Sequence, residues 1–377
     1  MKIAINCWVL RNKQLDGIGY FTVNTIQRMI VAHPEVSFVL LCDRNFHEDY
    51  FKGENVVIKR IFPPYRHPLL YVFFLECILP FYLRSLKPNL MLSAEGFCSL
   101  ISSCKQIPVI YDINFEHHPE NLTLKNRLYF RFFFSKFARK AVRIATISEY
   151  SKKDISNYYK IDHSKIDNVS CGINASFSKL SNEVIHQTRI QLTNGKPYFF
   201  FVGSMHPRKN IQRLIEAFEL FKTKTGSDMK LVISGAILWK TEAMKERFQN
   251  SSFKEDIVFT GRVTDEQLGL YLGSACALAF VPIFEGFGLP IVEAFQAGVP
   301  VVCSNTTSLP EVAGNAAVFV NPMDINDIAR GLTEIALMDA ETRSECILKG
   351  DIQKNQFSWN RTAELLWNCI QKGINEN

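Results

Sequence analysis

Tryptophan is scarce, with 4 in 377 residues, and no two cysteines form a Cys-x-x-Cys pair. The ten cysteines run singly from Cys7 to Cys369, none at zinc-ligand spacing. This excludes a disulfide scaffold or zinc ribbon and fits free thiols in a reducing compartment. The opening MKIAINCWVL turns polar too soon for a secretory leader and reads as a first buried strand. No apolar run reaches the roughly 20 residues of a spanning helix. The most apolar window, residues 69–83, is interrupted by Glu76 and Pro80. Neither charge sign dominates: 43 Lys+Arg against 37 Asp+Glu leave a net +6. That suits anionic ligands or an anionic surface without demanding nucleic acid. Low-complexity tracts and short repeats are also missing.

What is present is material for large cores. Hydrophobic residues make up 47% and charged residues 21%, which excludes a disordered or coiled-coil chain. The length suits two domains at roughly 100–200 residues each. Phenylalanine is abundant, at 30 residues. Such an excess fills cores or faces a membrane.

Short apolar runs alternate with amphipathic stretches. Strands are expected at 3–7, 37–42, 56–61, 90–93, 107–111 and 143–147, with helices at 21–32, 125–141 and 151–158. The pattern restarts at 198–202, with further strands at 230–234, 257–260, 277–281, 299–303 and 317–320. Helices fall at 210–222, 266–273 and 290–297. Such alternation predicts two Rossmann-like α/β domains, each on a parallel sheet, with a cleft between them. The polar stretch 176–196 reads as the linker.

Residues 282–300, PIFEGFGLPIVEAFQAGVP, carry the most chemistry. Pro290 suits the first turn of a helix and Gly298 with Pro300 its stop. The helix N-terminus offers free amides to a phosphate, and Gly286 and Gly288 let a ligand approach the backbone. Glu285 and Glu293 would repel phosphate, so they suit neutral sugar or ribose hydroxyls. A solvated surface glutamate is the plain alternative for either alone.

This segment resembles the E-x(7)-E signature of family 4 retaining glycosyltransferases. So do the sequel SNTTSLPEVAGNAAVFVNP and the earlier FVGSMHPRKNIQRLIEAF. The resemblance implies a GT-B fold, with residues 1–185 binding acceptor and 186–377 binding a nucleotide sugar. The last helix, about 358–375, is expected to pack back on the first domain. It further implies that Glu285 contacts the transferred sugar and Glu293 the ribose. Arg208 and Lys209, with Gly203 and Ser204, would hold the diphosphate, and Arg262 and Val263 the base. Gly286, Phe287, Gly288 and Leu289 complete the expected donor loop. Residues 305–310 resemble the family's loop near the diphosphate and donor, and Glu311 reads either as part of that region or as a helix N-terminal charge.

In the first domain, Gly17 and Gly19 sit in a glycine loop after the first strand, a place that lines the cleft in the family. The third glycine of a dinucleotide fingerprint is absent, since position 22 is Thr. Asp112 is a cleft candidate. Tyr111 replaces the family's usual His, and His117 or His118 are candidates for that space. Ser148 is expected to cap the helix that follows it.

No Asp-x-Asp motif stands in a plausible site, so neither metal nor cofactor is expected. The implied activity is retaining hexosyl transfer, with mannose favoured, from a nucleotide-diphosphate sugar to a saccharide or lipid-linked acceptor in cell-surface polysaccharide or glycolipid synthesis. A sugar-nucleotide epimerase and an inactive nucleotide-sugar binder are the rival readings. Residues 125–143 hold seven cations, Lys125, Arg127, Arg131, Lys136, Arg139, Lys140 and Arg143, and no acid. Interleaved are Phe130, Phe132, Phe133, Phe134 and Phe137. Two readings stay open: a helix on an anionic membrane surface, or a core helix with one basic face. The expected location is cytoplasmic, at the inner membrane face under the first reading.

Overall fold

The structure is a computed structural model that describes all residues except 12–14, 43–45, 62–67, 175, 237–241 and 377. The chain divides into two units. One comprises Met1–Gly172 with Ser358–Asn377, and the other Ile173–Phe357. Residues 173–185, expected with the first domain, thus belong to the second unit, while 358–377 belong to the first.

The first unit holds a five-stranded parallel sheet in the order β3-β2-β1-β4-β5. Its strands are β1 (Lys2–Asn6), β2 (Ser37–Cys42), β3 (Val56–Arg60), β4 (Leu90–Ser93) and β5 (Gln106–Pro108). A separate parallel pair, β6 (Ile144–Thr146) and β7 (Ile166–Asn168), is tied to it by a bridge between Val109 and Ala145. The helix Trp359–Asn375 packs against helix Gly17–Ala32 of this unit.

The second unit holds six parallel strands in the order β10-β9-β8-β11-β12-β13. They are β8 (Tyr198–Val202), β9 (Lys230–Ser234), β10 (Ile257–Gly261), β11 (Ala277–Phe280), β12 (Val301–Ser304) and β13 (Ala317–Val320). Tyr198, Phe199, Phe200 and Phe201 are wholly buried. Strands covered on both faces read as unbroken apolar runs, which is why YFFF is a strand. In both units the chain reverses its direction of travel across the sheet beside the first strand, the doubly wound arrangement.

Two expectations need correction, and one open reading narrows. The supposed linker 176–196 contains a helix, Asn182–Thr193, capped by the Ser181 side chain. Gly17 and Gly19 are not in a loop. They form the first turn of helix Gly17–Ala32, and Asp16 caps it by accepting from the Gly19 N–H at 2.9 Å. The phenylalanines of helix Leu124–Lys140 are mostly core: Phe134 and Phe137 are buried, and Phe130 and Phe133 pack against the same cluster. Their spacing of three and four residues is the inward stripe of an amphipathic helix. Phe132 alone of the five is exposed.

The window 69–83 forms helix Pro68–Phe73, a π-turn Phe74–Ile78 and helix Leu79–Leu86. Phe74, Leu75, Leu79 and Leu83 are buried. Glu76 turns its carboxylate onto the loop at 99–101, accepting from the Leu100 and Ile101 N–H groups at 3.0 and 3.1 Å. No described helix is long and apolar enough to cross a membrane.

Candidate functional site

Ligands of doubly wound sheets bind outside the carboxyl ends of the strands where the order reverses. In the second unit that point lies between neighbours β8 and β11. Two loops leave it. After β8, a 3-10 turn Pro207–Lys209 carries the cation pair, opened by His206, whose ring nitrogen accepts from the Arg208 N–H. After β11, residues 281–288 lead to helix Leu289–Gln296. The loops are stitched by backbone, Ile283 N–H donating to the Arg208 carbonyl at 2.8 Å. Asn210, left-handed at φ 62°, donates its amide to the Val281 carbonyl at 3.0 Å and the Pro322 carbonyl at 2.7 Å.

This stitching brings Arg208, Lys209 and Glu285 together. Arg208 Nη1 donates to Glu285 Oε1 at 2.8 Å and to the Phe284 carbonyl at 3.1 Å. Lys209 Nζ pairs with the same carboxylate and lies 5.1 Å from the Phe280 ring centre. Glu285 and Lys209 are each only 8% exposed. Burial pushes the Glu285 carboxyl up, but the two cations outweigh it and hold the group below its ordinary value. The three side chains carry net +1, set among the loop amides: a buried centre with charge to spare for an anion.

The surroundings follow from glycine geometry. Gly288 precedes the helix at φ 99°, and a Cβ there would lie 2.5 Å from Leu309 Cδ2. Gly203 and Gly235 also have positive φ, and a Cβ on Gly235 would sit 1.9 Å from the Gly203 carbonyl oxygen. The backbones at the ends of β8 and β9 touch because Gly235 has no side chain. Ser204 is half-buried beside them. Gly286 and Phe287 are buried, but the Phe287 ring packs edge-on against Phe357 at 5.4 Å, leaving only its backbone for a ligand. Leu289 is the first residue of the helix, one earlier than expected.

Glu293 lies one turn inside that helix. Burial first, and then the charge of Asp265, push its carboxyl up to about 8. The residue as a whole is half-buried. Arg262 is exposed and Val263 half-buried, just past β10. Glu311 falls in the first turn of helix Leu309–Ala313, the helix-charge alternative.

The first-unit candidates have local partners. Asp112 Oδ1 accepts from the Asn114 N–H at 3.0 Å and from the Asn114 side-chain amide at 2.5 Å. Tyr111 donates its hydroxyl to the Ala94 carbonyl at 3.0 Å, and its ring meets Phe21 edge-on. His117 pairs with Asp154 at 2.9 Å and His118 with Glu120 at 3.1 Å. Ser148 caps helix Glu149–Tyr159 by accepting from the Ser151 N–H at 3.0 Å. Sequence reasoning placed residues 305–310 near the donor but assigned no role to Thr307 or Ser308, and it missed Asn210; all three hold the site's loops. The signal was an Asn after Arg-Lys and a hydroxyl pair before Leu-Pro-Glu.

Comparison with known proteins agrees with this architecture. Residues 15–177 match the model described as Glycosyltransferase Family 4, and residues 185–351 match Glycosyl transferases group 1. The chain belongs to the family 4 glycosyltransferases. Among relatives of this family 4 chain is the O-antigen chain mannosyltransferase B of Escherichia coli, 31% identical over 233 residues, which are 62% of this chain and 59% of the relative. Another is the O-antigen chain mannosyltransferase RfbU of Salmonella typhimurium, 28% identical over 58% of this chain and 57% of the relative. The matches thus span under two thirds of these relatives. Anabaena Alr3699/HepE, solved with UDP and glucose, superposes with TM-score 0.77 at 15% identity, covering 98% of this chain and 99% of that one. WaaG, a glycosyltransferase involved in lipopolysaccharide biosynthesis, gives TM-score 0.74 at 13% identity, covering 96% and 97%. At these identities the likeness shows the GT-B fold of this family 4 glycosyltransferase.

Proposed function

We propose that the chain transfers a hexose, mannose by preference, from a nucleotide-diphosphate sugar to a saccharide or lipid-linked acceptor in cell-surface polysaccharide synthesis. The observation that carries this reading is the Arg208–Lys209–Glu285 cluster at the β8/β11 switch point, beside the N-terminus of helix Leu289–Gln296. The mannosyltransferase relatives favour mannose.

In this reading the donor diphosphate lies against Arg208, Lys209 and the helix amides, with Gly203 and Ser204 on its other side. Glu285 turns to the sugar hydroxyls and Glu293 to the ribose, while Arg262 and Val263 flank the base. The bond from the anomeric carbon to phosphate oxygen breaks and charge builds on the diphosphate. The cations stabilise it, each such contact lowering the barrier by about 2–4 kcal/mol. The acceptor hydroxyl attacks on the face the phosphate leaves, its proton passing to a phosphate oxygen, so configuration is retained. Asp112 stands as a candidate on the first unit, and the reaction needs neither metal nor cofactor.

A thermal-shift panel of UDP-, GDP-, ADP- and TDP-sugars identifies the donor, since a ligand of the folded state raises its midpoint. Glu285→Ala and Lys209→Ala should then abolish transfer, and unchanged rates in both would sink the assignment. Incubation with donor alone distinguishes an epimerase, which would yield a new sugar epimer without acceptor.

A lipid-facing surface on the first unit accompanies this reading. Leu70, Phe73 and Phe81 on one helical run, and Leu124, Leu128 and Phe132 on another, are exposed, Phe81 at 73%. The two runs meet through Tyr71 and Tyr129, with ring centres 6.2 Å apart. Exposed Lys125, Lys136, Arg139 and Lys140 flank the second row, and helix Leu124–Lys140 contains no acid. Apolar rows flanked by cations suit an anionic bilayer, at about 1 kcal/mol per cation. Phe81→Ser with Lys136→Glu and Lys140→Glu should reduce sedimentation with anionic liposomes; unchanged sedimentation refutes the surface.

A further inference from the structure

The loop bearing Glu285 hangs from three hydroxyls of the neighbouring segment. Ser304 Oγ donates to the Pro282 carbonyl at 2.7 Å and Ser308 Oγ to the Glu285 carbonyl at 2.9 Å. The Glu285 N–H in turn donates to Thr307 Oγ1 at 3.4 Å. The Thr307 hydroxyl proton is committed to the Thr306 carbonyl at 2.7 Å, which leaves a lone pair for that N–H. Both polar ends of residue 285 are therefore gripped by adjacent side chains, and Ser308 is wholly buried.

Thr307 makes its contact from an unfavourable conformation. Its φ is 58°, the left-handed region that β-branched residues avoid. Lys87, Lys160 and Asn194, also left-handed, close helix C-termini. Thr307 closes no helix, and no other described non-glycine residue at positive φ is β-branched. A glycine would hold this φ without strain. What glycine lacks is the hydroxyl. Strain of this kind persists where the surroundings over-determine it, commonly near reacting groups.

We propose that Thr307, assisted by Ser308, is a positioning residue that fixes the Glu285 backbone, and so keeps the Glu285 carboxylate where Arg208 and Lys209 meet the donor. This rests on the transfer reading for its effect on rate, but not for its effect on the loop. The test compares Thr307→Gly, which removes strain and hydroxyl together, with Thr307→Ser, which keeps the hydroxyl. Thermal midpoint, amide hydrogen exchange over residues 283–288, and transfer kcat and donor KM are measured for each.

Thr307→Gly should keep or raise the midpoint, speed exchange at Glu285 about tenfold, and lower kcat about tenfold or more with KM little changed. Thr307→Ser should match the parent protein. Unchanged exchange in Thr307→Gly, an equal defect in Thr307→Ser, or a fall in midpoint matching the fall in kcat would each overturn the proposal. If the parent protein transfers no sugar, the transfer reading fails, and the exchange data still decide the positioning.

Discussion

Replacing Glu293 by Gln should make the empty protein more stable, and increasingly so as the pH rises. The Glu293 carboxyl is pushed from 4.5 to about 8, by burial first and by Asp265 second. A folded value above the unfolded one means the native state holds the proton more tightly. The associated stability is therefore fully present below about 4.5 and is lost as the pH climbs to about 8. At pH 7 the native state forgoes about 3 kcal/mol, and above pH 8 about 5, at 1.36 kcal/mol per unit. Glutamine keeps the shape and cannot ionise, so it escapes this loss. For a unit of this size the gain at pH 7 corresponds to about 6–12 °C in midpoint. The assay is thermal unfolding of both proteins at pH 5, 7 and 9. A gap between them that stays constant across that range would refute the reasoning. In the proposed mechanism this side chain takes the ribose hydroxyls, so the stabilised variant should also bind donor more weakly.

Gly288→Ala should cost about 2 kcal/mol, since φ 99° suits glycine and the new methyl meets Leu309; a urea midpoint equal to the parent's would contradict this. Removing Arg208 and Lys209 together strands the Glu285 carboxylate in a buried site and should destabilise by about 3–5 kcal/mol. Adding Glu285→Ala to that pair should restore much of the loss, read as a difference in unfolding free energy. Asn210→Ala removes two buried hydrogen bonds and should cost about 2–3 kcal/mol, checked by the same denaturation.

The strands were legible where burial on both faces made them unbroken apolar runs, as at Tyr198–Val202 and Lys230–Ser234. Helix Asn182–Thr193 was not, because it buries only Thr188 and Thr193 and leaves no apolar stripe to read. Its Ser181 cap was the available sign. At Gly17, the two glycines argued for a loop, and the Asp16 cap overrode their poor helix propensity. In helix Leu124–Lys140, composition suggested a membrane face, whereas the spacing of Phe130, Phe133, Phe134 and Phe137 already described a core stripe. The types of residue at the site could be read from the loops. That Glu285 meets Arg208 and Lys209 depends on β8 lying beside β11, and strand order is not written in any local pattern.

The helix Trp359–Asn375 has a consequence for how the protein is made. Gly172 and Trp359 touch so closely that a Cβ on the glycine would lie 2.3 Å from the Trp359 nitrogen. The chain leaves the first unit and re-enters it at one spot, so the second unit is an insertion within the first. During synthesis the half that begins first is completed last, because its closing helix emerges only after the whole inserted half. A nascent chain therefore finishes the second unit while the first sheet still waits for residues 358–377. For the same reason the insert offers one seam, at Gly172 and Trp359, through which residues 173–357 could be exchanged as a cassette while the first unit stays unchanged.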